Sequence, residues 1–454
     1  LSLHDSLPIS AYGAARTVTL TNSSGTAGGS LTWNAGSFVP TGNALLLSSD
    51  YSDNTVTLTN AINLGGASRE VRVANGSAAV DGILSGVLSN GGLVKTGAGT
   101  LNISGANTYT GTTEIQGGAL RGTVPSGSNI TLNGGVLEIS SNFTRSLGSG
   151  GTNVQWTGDG GFAAYTSNSS VSLNNNSNAV TWGSTSGFIA SGKTLVFGSD
   201  GSDKTLTFNN AINLNGGSET IRVVSGTTAG IANGVLAGVV SNGSLTVTGN
   251  GRLDSTASNT LAGGVTVNGA ELRLQGSGRM TSVGSLTVGE GGAFTMDNAT
   301  GSNSTNRLSN SAGITLSGGT LNFLGRAGSS SETVGALTLA AGGGNTVTTH
   351  RNGTNSSVLT LASLTRNDGA TVDFTNGTGG GTLGTSGSNP RTMFTSAPTL
   401  TNGILAYGTV NGAAFAGYGA SGIYAVTSTN TSQTSWTSSV NAGNTSDVTV
   451  TADR

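Results

Sequence analysis

Residues 90–122 read NGGLVKTGAGTLNISGANTYTGTTEIQGGALRG, and residues 241–274 return to the same pattern as SNGSLTVTGNGRLDSTASNTLAGGVTVNGAELRL. Leu245 stands for Leu93, Asn259 for Asn107 and Leu272 for Leu120, each 152 residues further along. Both stretches alternate single aliphatic residues with polar ones and break at Gly-rich corners. A period of two puts Leu101 and Ile103, or Val265 and Val267, on one face of a strand. The duplication of such pairs decides the fold.

Moving outward from this stretch, the same i, i+2 pairing runs along the chain from residue 11. Examples are Val56 and Leu58, Val71 and Val73, Ile130 and Leu132, Val154 and Trp156, Leu195 and Phe197, Leu286 and Val288, and Leu359 and Leu361. Turn clusters such as NGG, SGG and GEGG separate them. SDNTVTLTNAINL (Ser52 to Leu64) aligns with SDKTLTFNNAINL (Ser202 to Leu214) at an offset of 150, and LTWN at Leu31 aligns with VTWG at Val180 at 149. A drift from 149 to 152 means short insertions at turns. A stack of coils tolerates these because each coil touches only its neighbours, whereas a closed barrel does not. GSNITLNGGVLEI, GSLTVGEGGAFTM and AGITLSGGTLNFL are smaller echoes of strand, Gly corner and strand. The expectation is an all-β parallel β-helix, or β-solenoid, wound into an elongated rod in which neighbouring coils pair their backbones and cover one another's aliphatic side chains.

Composition agrees. With 77 Gly, 8% charged and 34% hydrophobic residues in 454, no long window favours a helix. The many aliphatic pairs and only five Pro argue against disorder. The formal net charge is −2 and the basic residues are scattered singly, which excludes a nucleic-acid or anionic-membrane footprint. No run reaches the roughly 18 apolar residues of a membrane-spanning helix. The absence of cysteine removes disulfides, thiol catalysis and Cys-based zinc sites. A monomer is expected.

Gly92 to Leu120, GLVKTGAGTLNISGANTYTGTTEIQGGAL, resembles the autotransporter-associated β-strand repeat, also called the passenger-associated transport repeat. FTRSLGSGGTNVQWTGDGGFAAY (Phe143 to Tyr165) and VTWGSTSGFIASGKTLVFGS (Val180 to Ser199) resemble the segments between such repeats in large bacterial surface proteins. The resemblance covers most of residues 11–290 and fades after about residue 325. The second copy departs from it, with Val247, Arg252 and Leu261 where the first has Lys95, Thr100 and Tyr109. The resemblance implies a right-handed parallel β-helix passenger, exported to the bacterial surface, with no catalytic residues and no cofactor. Neither a signal peptide nor a translocating barrel is recognised, so the chain reads as an internal segment.

The expected organisation is a leader foreign to the repeat at 1–10, a first repeat unit at 11–163, a second at 164–310, divergent coils at 311–400, and a C-terminal β segment at 401–454 that caps the solenoid or adds coils. The leader expectation rests on LSLHDSLPI, which ignores the repeat pattern and resembles adapter read-through.

Several chemical motifs compete with a purely structural reading. GFIASGKT at Gly187 to Thr194 matches the phosphate-loop pattern, but a strand rather than a helix follows it, and the equivalent first-unit stretch has Asn43 and Ala44 for Lys193 and Thr194. The G-x-G-x-x-G matches at Gly379 to Gly384 and Gly417 to Gly422 open no helix either. The pairs Asp50/Asp53 and Asp200/Asp203 are the candidates for weak calcium binding, against a role in forming turns. His350 is the one imidazole beyond the leader, and Asp368 and Asp373 near Arg366 and Arg351 form the nearest approach to an acidic cluster. A polysaccharide lyase or hydrolase, the alternative function, needs convergent carboxylates that this sparse set does not promise. The aromatics Tyr407, Phe415, Tyr418, Tyr424 and Trp436 gather in the last 60 residues. Tyr418, Tyr424 and Trp436 are taken as the glycan-contact candidates, with host or environmental glycans or surfaces as partners. The function expected is a non-enzymatic stalk or adhesin scaffold.

Overall fold

The computed structural model describes residues 9–21, 29–35, 38–176, 178–301, 303–341 and 343–427. Trp436 and the first eight residues of the expected leader lie outside them. The described chain contains no α-helix, and it divides into two compact units, Leu1–Val283 and Gly284–Arg454.

In the first unit the chain winds through parallel sheets as a β-helix. One sheet stacks, in chain order, Arg16–Val18, Val56–Leu58, Gly82–Leu84, Thr100–Ile103, Ala119–Gly122, Val136–Ile139, Gly160–Ala164, Thr194–Phe197, Ser218–Val223, Ser244–Gly249 and Val265–Asn268. A second holds Leu31–Thr32, Ile62–Val73, Leu88–Thr96, Thr113–Ile115, Ile130–Leu132 and Val154–Trp156, with Leu45–Leu47 added against Ile62–Val73. A third begins at Phe143–Arg145 and continues through Ser169–Leu173, Leu206–Phe208, Gly234–Leu236, Arg252–Ser255 and Glu271–Leu274. Every pairing between these strands is parallel.

The i, i+2 pairs read from the sequence are the inward faces of these strands. Leu101, Leu120, Leu137, Phe162 and Phe197 stand in register on successive strands, none more than 3% exposed. Ile115, Leu132 and Trp156 form a like column in the second sheet. Each such side chain stabilises by about 1.5–3 kcal/mol, but only because the coils above and below cover it.

The two copies of the repeat do not occupy the same sheets. Leu93–Lys95 lies in the second sheet and Thr100–Ile103 in the first, whereas the equivalent Leu245–Val247 lies in the first and Arg252–Ser255 in the third. Between Gly122 and Gly160 the chain passes through Ile130–Leu132, Val136–Ile139, Phe143–Arg145 and Val154–Trp156. These passes bring the second copy in one sheet further around the coil.

Polar side chains close the corners. Asn60 Oδ1 accepts the Leu20 N–H and its Nδ2 donates to the Leu20 carbonyl, at 2.8 and 2.9 Å. Asn210, 150 residues later, does the same to Leu173 at 2.7 and 2.8 Å. Asn107 and Asn259 likewise accept the N–H groups of Leu88 and Val240. In each case the amide ties one coil to the one before it and satisfies backbone groups that the sheet ladder leaves open.

Lys95 is a different device. Its side chain is fully buried, and Nζ donates to the carbonyls of Thr96, Gly97 and Gly117 at 2.9, 2.9 and 3.0 Å. Gly97 makes this cage possible: its φ is +76°, and a Cβ there would lie 2.3 Å from the Val73 carbonyl oxygen. Burial pulls the Lys95 pKa down to about 7, with the carboxylate of Asp81 opposing. Asp81 itself is buried, accepting the Gly76 and Thr100 N–H groups at 2.7 and 2.8 Å.

The second unit repeats the parallel construction. Ser285–Val288, Gly313–Leu316, Leu337–Leu339 and Leu364–Arg366 form one sheet. Ala293–Asp297, Thr320–Leu324, Gly344–His350, Thr371–Thr375 and Leu405–Val410 form another, and Ser330–Val334, Ser357–Leu361 and Pro390–Phe394 a third. Parallel winding then stops. Ala414–Gly419 pairs antiparallel with Leu405–Val410, and Gly422–Ala425 antiparallel with Ala414–Gly419. The cause is local: Asn411 and Gly412 both have positive φ, 52° and 65°, the hairpin conformation that this dipeptide favours.

Candidate functional site

The switch to a hairpin builds a concavity in the second unit, a groove of about 420 Å³. Its floor is the outward face of Gly344–His350, Thr371–Thr375 and Leu405–Val410. Thr346, Asp373, Thr409 and Phe415 are cross-strand partners in turn, so they form one outward row across four strands. Gly344 is the partner of Thr371, and Tyr407, two residues before Thr409, projects on the same side. The two rows lie about 7 Å apart along the strands.

Phe415 is 57% exposed at one edge of the groove. The Arg366 guanidinium lies 4.9 Å from the centre of the Tyr407 ring, while Arg366 Nε donates to the Ala370 carbonyl. Partial burial raises the Tyr407 pKa, with Arg366 opposing. Asp373 Oδ1 accepts the Thr409 hydroxyl at 2.8 Å and the Gly412 N–H at 2.9 Å, which fixes a carboxylate that lines the groove. Gly344 leaves a gap in the floor: a Cβ built there meets no atom within 4 Å. The groove thus offers two aromatic side chains, one fixed carboxylate and the hydroxyls of Thr346 and Thr371.

Of the residues singled out in the sequence, Asp373, Tyr407 and Phe415 line this groove, and the other described ones lie elsewhere. The Tyr418 hydroxyl accepts the Phe394 N–H at 2.9 Å and donates to the Phe394 carbonyl at 2.8 Å, which ties the hairpin to the neighbouring strand. Tyr424 is 38% exposed and lies over Gly417, where a Cβ would sit 2.6 Å from its ring. Trp436 lies outside the described residues. Asp53 Oδ1 accepts from Asn54 Nδ2 at 2.9 Å and the Gly13 N–H at 2.8 Å, and the Asn54 amide, then Gly13, hold its pKa below the ordinary value. Asp203 accepts the Thr166 N–H at 2.7 Å, the same coil-to-coil tie 150 residues on. Asp50 and Asp200 are exposed. Among the described residues no group of three or more His, Cys, Asp or Glu side chains gathers where it could hold a metal ion.

The GFIASGKT stretch leads into the strand Thr194–Phe197, and the Gly192 N–H points at the Glu219 carboxylate, 3.4 Å away, where a phosphate loop would present it to an anion. The other Gly-rich matches open no helix. His350 is half-buried, with Nε2 3.3 Å from the Thr378 hydroxyl and Nδ1 buried without a partner; burial lowers its pKa, with Asp297 opposing. Asp373 faces the groove as its only lining carboxylate. Arg351 is held by the carbonyls of Gly379 and Ser388.

Residues 93–121 and 245–274 each match the family model described as the passenger-associated-transport-repeat. The chain therefore carries this autotransporter passenger repeat twice, on the two stretches that alternation and duplication mark in the sequence. Neither the curated proteins nor the solved structures compared with the chain contain a match to it.

Proposed function

We propose that the chain is part of the passenger of an exported bacterial surface protein, and that it serves as a non-enzymatic stalk or adhesin scaffold outside the cell. The observation that carries this reading is the pair of transport repeats, each wound into consecutive coils of a parallel β-helix. Such coils hold one another by backbone pairing and stacked aliphatics, an arrangement suited to extension. The lone carboxylate of the groove supports a role without hydrolysis, since glycoside hydrolysis uses two carboxyl groups about 5–9.5 Å apart.

Two measurements test the proposal. Antibodies raised against residues 90–280 should label intact cells of the source bacterium; labelling only after permeabilisation would overturn the surface assignment. The purified chain should release no reducing or unsaturated ends from neutral or acidic polysaccharides. Turnover in that assay would favour the polysaccharide-active alternative instead.

A further inference from the structure

We infer that the groove framed by Tyr407, Phe415 and Asp373 is a binding site for a neutral hexopyranose oligosaccharide. A pyranose ring has an apolar C–H face and an equator of hydroxyls, and a site for it needs an aromatic platform beside a fixed hydrogen-bond acceptor. Both are present here within two outward rows. Phe415 supplies an exposed apolar face, and Tyr407, in contact with the Arg366 guanidinium on its ring, supplies a second aromatic side chain. Asp373, on the strand next to that of Tyr407 and on the far side of it from Phe415, is an acceptor whose orientation is set by Thr409 and Gly412, so it need not be ordered on binding. The volume of about 420 Å³ is in the range of small-ligand sites.

The sign of charge selects the ligand further. The one acidic or basic side chain among the groove's lining residues is Asp373; the exposed Arg366 packs on the Tyr407 ring and is not among them. A uronate or sialate would meet an unpaired like charge, whereas a neutral sugar meets only an acceptor. Gly344 completes the fit, because a side chain there would stand in the space a ring would occupy. The groove belongs to the folded chain wherever that chain resides, so a failure to bind sugar would leave the outcome of the surface-labelling experiment untouched.

The test is saturation-transfer NMR on the purified full chain with cellotetraose, maltotetraose and lactose as neutral probes and trigalacturonate as the anionic one. At least one neutral probe should receive saturation. Gly344→Leu, whose Cβ meets no atom within 4 Å, should abolish transfer with an unchanged melting temperature. Phe415→Ala, at an exposed position, should weaken binding about tenfold. Asp373→Asn keeps the acceptor for Thr409 and Gly412 but loses the charge, and should weaken binding as well. The proposal is overturned if no neutral probe binds, if trigalacturonate alone binds, or if binding survives Gly344→Leu.

Discussion

Replacing Lys95 by Met should change how stability responds to pH. In the folded chain the ammonium is buried and its pKa falls to about 7 from the ordinary 10.5. The folded state therefore holds fewer protons than the unfolded state between those values, and stability rises with pH across that window. At about 1.4 kcal/mol per pH unit for a full proton, and with Lys95 half-ionised near pH 7, the wild-type chain gains about 2 kcal/mol between pH 7 and pH 9 from this group. Lys95→Met removes that gain, together with the charge that lowers the Asp81 pKa. The assay is urea unfolding followed by tryptophan fluorescence, because Trp33, Trp156 and Trp182 are buried in the same unit as Lys95. The second copy shows that the corner closes without an ammonium, since Val247 stands where Lys95 does. If the two chains changed in parallel between pH 7 and pH 9, the three carbonyls would be holding the ammonium fully charged, and the reasoning from burial would be wrong.

Two further perturbations separate what corners and strands require. Asn210→Leu orphans the Leu173 N–H and carbonyl in a site that is 1% exposed, and should cost about 2–4 kcal/mol in urea unfolding; a loss under 1 kcal/mol would mean the amide tie is dispensable. Gly161→Ala places a Cβ 1.9 Å from the Val196 carbonyl oxygen and should cost about 2–4 kcal/mol, whereas Gly192→Ala, strained only by its φ of +76°, should cost about 1 kcal/mol. Equal losses at these two glycines would contradict the close packing of the strands Gly160–Ala164 and Thr194–Phe197.

The sequence disclosed the winding because alternation and duplication are local signals. Val56 with Leu58 and Leu101 with Ile103 point inward as their spacing requires. It did not disclose which sheet each copy enters, since that depends on how many passes the chain makes between Gly122 and Gly160. The corner asparagines were equally hidden: Asn60 and Asn210 look like turn formers until their partners 40 and 37 residues away are known. For the groove, Asp373, Tyr407 and Phe415 were visible as residue types, but their adjacency arises from parallel register followed by a hairpin. The Asn411-Gly412 dipeptide was the available clue to that hairpin, in which the Tyr418 hydroxyl is bonded to the Phe394 backbone.

Cysteine cross-linking addresses the parallel winding itself most directly, because the chain has no cysteine of its own. Thr207 and Val235 are register partners on neighbouring parallel strands, about 4.8 Å apart, within the span a disulfide bridges. The Thr207→Cys, Val235→Cys double variant should oxidise readily to an intramolecular disulfide. Thr205→Cys with Val235→Cys, shifted by two residues to about 8 Å, should remain reduced under the same conditions. Cross-linking of the shifted pair, or of neither pair, would contradict the stacked parallel coils.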